Sequence, residues 1–214
     1  MRPERLVFVT GTHTEVGKTW CAARLLRHWR SSGYSVEARK PVQSFDPTDT
    51  EPTDAEHLAA ATGERVIDVC PAAGSLPVPL APPMAAALLG RSPPTLIELT
   101  ERCAWSTEAE IGLVEGVGAV RSPVAEDGDN VDLIMALAPD VVILVADAEL
   151  GAVGAVRSNV DSLGDRWKPI VFLNRYDRQK DLHRRNADWL RNRDGFTVHV
   201  SPTETATALW CEEP

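Results

Sequence analysis

The run Leu6-Val7-Phe8-Val9-Thr10 leads into Gly11-Thr12-His13-Thr14-Glu15-Val16-Gly17-Lys18-Thr19, and the reading of this stretch decides the fold. An apolar, largely β-branched segment stops at a glycine. A polar turn ends in Gly-Lys-Thr, and a helical pattern opens behind it. That order predicts strand, phosphate loop and helix. A nucleotide phosphate chain needs backbone N–H groups pointing inward, and Gly17 lets the backbone come close. The helix N-terminus adds partial positive charge. Lys18 supplies a full charge for the β/γ-phosphates, and the Thr19 hydroxyl suits Mg²⁺. The strict pattern has a glycine about five residues before Gly17. Thr12 stands there instead and Gly11 one earlier, so this is a variant loop. As an ordinary βα turn it would leave Lys18 a solvated lysine.

Working outward, Ala22, Leu25, Leu26 and Trp29 share one helical face, and Ser31-Ser32-Gly33 stops that helix. A second strand is expected from Ser35 to Val42, ending near Pro41. An acidic loop, Phe45 to Glu56, leads into a short helix from Ala55 to Ala61 closed by Gly63. Residues 64–82 read as irregular. Helices are expected from Pro83 to Leu89, stopped by Gly90, and after Pro93-Pro94-Thr95, where Leu96, Leu99 and Cys103 align. Further strands are expected at Ile111 to Val114, Val141 to Val145, Ile170 to Leu173 and Thr197 to Val200. Helices fall at Val131 to Leu137, Gly151 to Leu163 and Leu182 to Arg193, with no final helix after Val200. Strands alternate with helices and are mostly continuous apolar runs. The expected fold class is α/β: a doubly wound, mostly parallel sheet covered on both faces, a three-layer sandwich of the phosphate-loop NTPase kind. Residues 1–214 read as one domain.

The net charge of −9 argues against non-specific nucleic-acid binding. The basic tract from Arg175 to Arg193 is interrupted by Asp177, Asp181, Asp188 and Asp194, which suits a solvated helix face. No run reaches the roughly 18 apolar residues of a membrane helix. No signal peptide is evident, and Cys21, Cys70, Cys103 and Cys211 lack metal-ligand spacing. The expectation is a cytoplasmic protein with reduced thiols.

Ligands of doubly wound sheets sit at the carboxyl ends of strands. The phosphate loop, Lys40, Glu115 and Asn174 all fall at such ends. Glu115 follows an apolar strand, as a Mg²⁺-organising carboxylate does, and Asp54 offers a second carboxylate. Each has a plainer reading. Asp54 suits a helix N-cap, Glu115 a solvated strand end, and Lys40 a surface lysine. Lys40 near the phosphates would neutralise charge during phosphoryl transfer or hold an anionic substrate group.

Gly11-Thr12-His13-Thr14-Glu15-Val16-Gly17-Lys18-Thr19 resembles the phosphate loop of dethiobiotin synthetases. Lys40-Pro41-Val42-Gln43-Ser44 is similar to their Lys-Pro-Val motif, and Glu115-Gly116-Val117-Gly118 to their Glu-Gly-Ala-Gly motif. Pro79-Leu80-Ala81-Pro82 with Ala85-Ala86, Leu150-Gly151 and Asn174 also fall in family-like places. The resemblance runs from about residue 6 to about residue 200. It implies an ATP- and Mg²⁺-dependent ligase of biotin synthesis that closes a cyclic urea from diaminononanoate and CO₂. The route passes through a carbamate and its mixed anhydride with phosphate. By resemblance, Lys18 and Lys40 are catalytic and Thr19, Asp54 and Glu115 hold Mg²⁺. Thr14, Glu15, Val16, Gly17, Lys18, Thr19, Trp20, Glu115, Gly116, Val117, Gly118, Asn174, Arg175 and Pro202 bind the nucleotide, Asn174 reading the adenine. Thr14, Lys40, Ser44 and Gly118 face the substrate. The family implies a homodimer, each substrate site completed by the partner chain.

The substrate-side motifs depart from the family. Gly154-Ala155 stand where the family commonly has Asn-His, Pro83 replaces a His, and Ala119 replaces a Gly. An added Cβ at Ala119 would crowd a backbone that needed positive φ. The alternative is therefore an altered-substrate or non-catalytic nucleotide-binding protein derived from the family.

Overall fold

The computed structural model describes residues 2–211, with side chains described through Leu209. The first strand, β1 (Arg5–Gly11), is buried from Leu6 onward because both faces are covered. It lies inside a six-stranded sheet with β2 (Val36–Arg39), β5 (Ile111–Glu115), β8 (Val141–Asp147), β9 (Ile170–Asn174) and β10 (Val198–His199). The order is β10-β9-β8-β1-β5-β2, and every pairing is parallel.

Alternation along β1 sends successive side chains to opposite faces. Val7 and Val9 pack with Leu25 and Leu26 of α1 (Lys18–Ser31), Leu58 of α2 (Asp54–Thr62) and Leu209 of the last helix. Leu6 and Phe8 pack with Leu133 of α6 (Asn130–Leu137), Val156 of α7 (Ala152–Leu163) and Leu190 of α8 (Asp181–Asn192). The smaller helices α3 (Val66–Val69), α4 (Pro82–Leu88) and α5 (Leu96–Glu101) cover the β5 side, with the short parallel pair β3 (Gln43–Ser44) and β4 (Ser75–Leu76).

The expected architecture holds, with four local corrections. The chain does carry a final helix, α9 (Pro202–Cys211). Proline is at home in a first helical turn, and Ala206 and Leu209 bury their side chains while Trp29 Nε1 donates to Ala206 O at 3.1 Å. Residues 64–82, read as irregular, contain α3, a 3₁₀ turn at Ala72–Gly74 and β4. A hairpin of β6 (Pro123–Ala125) and β7 (Gly128–Asp129) stands between β5 and α6, where no element is expected from sequence. Ala119 is not among the residues with positive φ, so its Cβ meets no backbone penalty. Cys21, Cys70 and Cys103 are buried free thiols, and the Cys211 side chain lies outside the described residues. No helix among the described residues is long and apolar enough to cross a membrane.

Candidate active site

Parallel pairing brings four strand ends to one edge. Val9 faces Glu115, Gly11 faces Val145, and Asp147 faces Asn174. Arg39 faces Val114, so Lys40 emerges beside Glu115 although the two are far apart in sequence. The phosphate loop crosses above these ends. Glu15 and Gly17 both take positive φ there, 62° and 97°. A Cβ on Gly17 would come 2.1 Å from Asn174 Nδ2. That amide donates to Val16 O at 2.9 Å, so Asn174 props the loop from below.

Four of the predicted residues, Thr19, Lys40, Asp54 and Glu115, form one polar knot. The Thr19 hydroxyl lies 2.7 Å from Asp54 Oδ1 and 2.8 Å from Glu115 Oε1, and its single proton serves one of them at a time. Lys40 Nζ donates to Glu115 Oε1 at 2.7 Å and to Gly116 O at 2.9 Å, and lies 2.8 Å from Asp54 Oδ2. The side chains of Lys40 and Glu115 are 1% and 0% exposed, which excludes a surface lysine and a solvated strand end, whereas that of Asp54 is 42% exposed. Asp54 is not the cap of α2. Thr53 is, through a capping box with Glu56, which frees the Asp54 carboxylate to face inward.

Burial pushes the Glu115 carboxyl up despite Lys40 beside it. Burial works against the ionised form of Asp54 as well, but the Lys40 ammonium and bonds from Lys40 and Thr19 hold it down, at about 2. Lys40 is raised, its two carboxylate partners outweighing burial. Lys18 is lowered, first by burial and then by Lys40. Its Nζ has a weak contact, 3.4 Å, to His13 O.

Glu115 Oε2 is buried without a hydrogen-bond partner. A buried carboxylate oxygen left open is costly unless a cation takes it up. Two carboxylates and a hydroxyl form an all-oxygen donor set that suits Mg²⁺ and leaves positions for phosphate oxygens and water. The described residues hold no group of three or more His, Cys, Asp or Glu side chains arranged for a metal.

A cleft of about 1380 Å³ opens over this knot, lined by Thr14, Glu15, Gly17, Lys18, Thr19, Lys40, Ser44, Asp54, Val117, Gly118 and Arg175. The acidic loop supplies its far wall through Asp46, Asp49, Glu51 and Glu56. Glu115, Gly116, Val16 and Asn174 lie beneath the lining. Gly118, at φ 64°, approaches Ser122 and, at 3.7 Å from its would-be Cβ, Thr14 Oγ1. Trp20 and Pro202 are apart from this group. They line a separate cavity of about 580 Å³ with Arg24, Arg27 and His28.

Two supporting residues escaped the sequence reading. Gln43 is buried, and its Oε1 accepts from Ala55 N at 3.0 Å, tying the first turn of α2, hence Asp54, to β3. Asn130, 0% exposed, bonds Val117 N, Val117 O and Ala119 O and so shapes the loop after β5. Gln43 sits within a quoted motif. Asn130 follows the unrecognised hairpin, and nothing local in sequence marks it.

The AAA domain family matches residues 5–193. An ATP-dependent dethiobiotin synthetase of Phenylobacterium zucineum is 40% identical over 78% of this chain and 73% of its own length. One from Caulobacter vibrioides is 38% identical over 78% and 77%. One from Haloferax mediterranei is 32% identical over 95% of this chain and 89% of its own. Among solved structures, a plasmid partition protein of Borrelia burgdorferi bound to AMPPNP superposes with a TM-score of 0.53 at 14% identity, covering 97% of this chain and 88% of its own. Chloroplast FtsY of Physcomitrella patens gives 0.51 at 16% identity, over 95% and 61%. At such identities these structures speak to the fold alone.

Proposed function

Because the chain belongs to the ATP-dependent dethiobiotin synthetase family, forming the ureido ring in biotin synthesis at the expense of ATP, we propose that it does so at the cleft over Lys18, Thr19, Lys40, Asp54 and Glu115. The observation that carries this reading is the convergence of those five side chains on one sheet edge. The substrates are diaminononanoate, CO₂ and ATP. One amine of the diamine takes up CO₂ as a carbamate. A carbamate oxygen attacks the γ-phosphorus, ADP leaves, and a mixed anhydride forms. The second amine then attacks the carbonyl carbon, expels phosphate and closes the ring.

The chain's part is positioning and charge. Lys18 faces the phosphates with a cation that burial has stripped of water. Thr14, Ser44 and Gly118, which line the cleft, are assigned to the substrate, and Lys40, also in the lining, to its carbamate. The acidic wall attracts an ammonium-bearing diamine while the lysine side attracts phosphate. Thr19, Asp54 and Glu115 would hold Mg²⁺, which supplies charge neutralisation between phosphate oxygens. Asn174 and Arg175 are assigned to the nucleoside end, whereas Trp20 and Pro202, which line a separate cavity, are not. Arg175 reaches Glu15 O at 2.9 Å and so also steadies the loop. The reading includes a cytoplasmic homodimer and one domain over residues 1–214.

The test is a coupled assay with the diamine, bicarbonate, ATP and Mg²⁺. ADP release should require the diamine and yield dethiobiotin by mass spectrometry. ADP release indifferent to the diamine would assign the site to another substrate.

Gln43 offers a finer check. Gln43→Leu should raise the Mg²⁺ concentration for half-maximal turnover about tenfold, the worth of one buried hydrogen bond, with kcat at saturating metal little changed. Gln43→Glu keeps the acceptor for Ala55 N and should restore the native requirement. Equal shifts in both variants would remove Gln43 from this role.

A further inference from the structure

The Lys40 ammonium has three protons and three acceptors: Glu115 Oε1 at 2.7 Å, Asp54 Oδ2 at 2.8 Å and Gly116 O at 2.9 Å. It is saturated and buried. The carboxylates it bridges are the same two that Thr19 touches, and the same two assigned to Mg²⁺. A site that already holds an ammonium in a poorly screened interior repels a second cation. Without any cation the two carboxylates would repel each other, so the pair needs one positive group whether or not metal is present.

We propose that Lys40 is the stand-in cation of the Asp54–Glu115 pair, and that a divalent metal arriving with the nucleotide displaces its ammonium toward the anions in the cleft. This rests on the reading of Thr19, Asp54 and Glu115 as metal ligands. The displacement asks little of the backbone. Lys40 follows directly on β2, its side chain also lines the cleft, and rotation about its side-chain torsions redirects the ammonium. Two consequences follow. The nucleotide-free protein binds divalent metal weakly, and metal and nucleotide bind cooperatively because phosphate gives the displaced ammonium a new partner. Lys40 thereby reaches the substrate only when the metal is in place, which ties activation of the carbamate to a loaded nucleotide.

The experiment is a Mn²⁺ titration of the nucleotide-free full-length chain, free Mn²⁺ being read by electron paramagnetic resonance. Lys40→Met should bind Mn²⁺ about tenfold tighter or more than the native protein, because the competing charge is gone. Lys40→Arg, which keeps the charge, should bind as weakly as the native protein. Equal affinity of Lys40→Met and native protein overturns the proposal. Should circular dichroism find Lys40→Met unfolded, the native chain still decides. The ¹⁵N resonance of its Lys40 ammonium, assigned by its absence from Lys40→Arg, should move on addition of Mg²⁺ with AMPPNP. A resonance that stays in place, or one that AMPPNP with chelator moves equally, overturns it. A parallel titration with AMPPNP present separates the two readings. Mn²⁺ affinity unchanged in Glu115→Gln would remove the metal site itself. A weakened Glu115→Gln beside a Lys40→Met with no gain would remove only the competition.

Discussion

Lys18→Met is expected to lower kcat/KM for ATP by about a thousandfold or more, the range seen when a charge that stabilises a phosphoryl transition state is removed. The stem of Lys18 is packed: a Cβ on Gly11 would come 3.1 Å from its Cγ. Among the described residues its ammonium has only the long contact to His13 O as a hydrogen-bond partner. Burial and Lys40 both lower its pKa, so the lysine's own surroundings disfavour the charge that a phosphate would favour. The proton is therefore lost at a lower pH than from a free lysine, and ATP affinity should weaken on the alkaline side accordingly. Methionine keeps the length and removes the charge, so circular dichroism should be unchanged. Calorimetry with an ATP analogue and steady-state kinetics check the result, and a loss under about tenfold would take Lys18 out of the phosphate role.

Phe8→Ala should cost about 3–5 kcal/mol of stability, the usual range for truncating a buried phenylalanine. Phe8 is fully buried on the central strand, between Val114 of β5 and Val142 of β8. Its ring edge lies 3.1 Å from where a Gly116 Cβ would stand, directly under the turn that follows Glu115. The substitution thus opens a void below the site as well as in the core. Urea melts should show a lower midpoint at nearly constant slope. Phe8→Leu, which refills most of the volume, should lose much less. An alanine variant within about 1 kcal/mol of the native protein would show that the space collapses without the ring.

Much of this was legible in sequence because the physics is local. Val141 to Val145 is β-branched and apolar throughout, and only a doubly covered strand buries such a run. Gly17-Lys18-Thr19 carries its own turn geometry. Lys40 and Glu115 were readable as strand ends, but their contact was not, because it depends on β2 pairing with β5 rather than with β1. In sequence Asp54 suits a cap as well as a ligand, and in the fold Thr53 takes the cap, a choice set by one residue of helix phase. The last helix was missed. Its threonines at 203, 205 and 207 are weak helix formers, and packing against α1 overrides that weakness. Gln43 and Asn130 act through backbone groups that only the folded chain brings to them.

The central position of β1 also governs how the chain is made. Its partners are β5, beginning at Ile111, and β8, beginning at Val141. At ribosomal speeds of roughly 5–20 residues per second, Val7, Phe8 and Val9 wait on the order of ten seconds for the second of them to be synthesised. Throughout that interval the strand lacks a partner on that side, an unpaired apolar edge and a template for sticking to other chains. The same centrality that seats the phosphate loop in the middle of the sheet makes its strand wait for two distant partners on either side, so the yield of active protein should depend on how well that segment is shielded during translation.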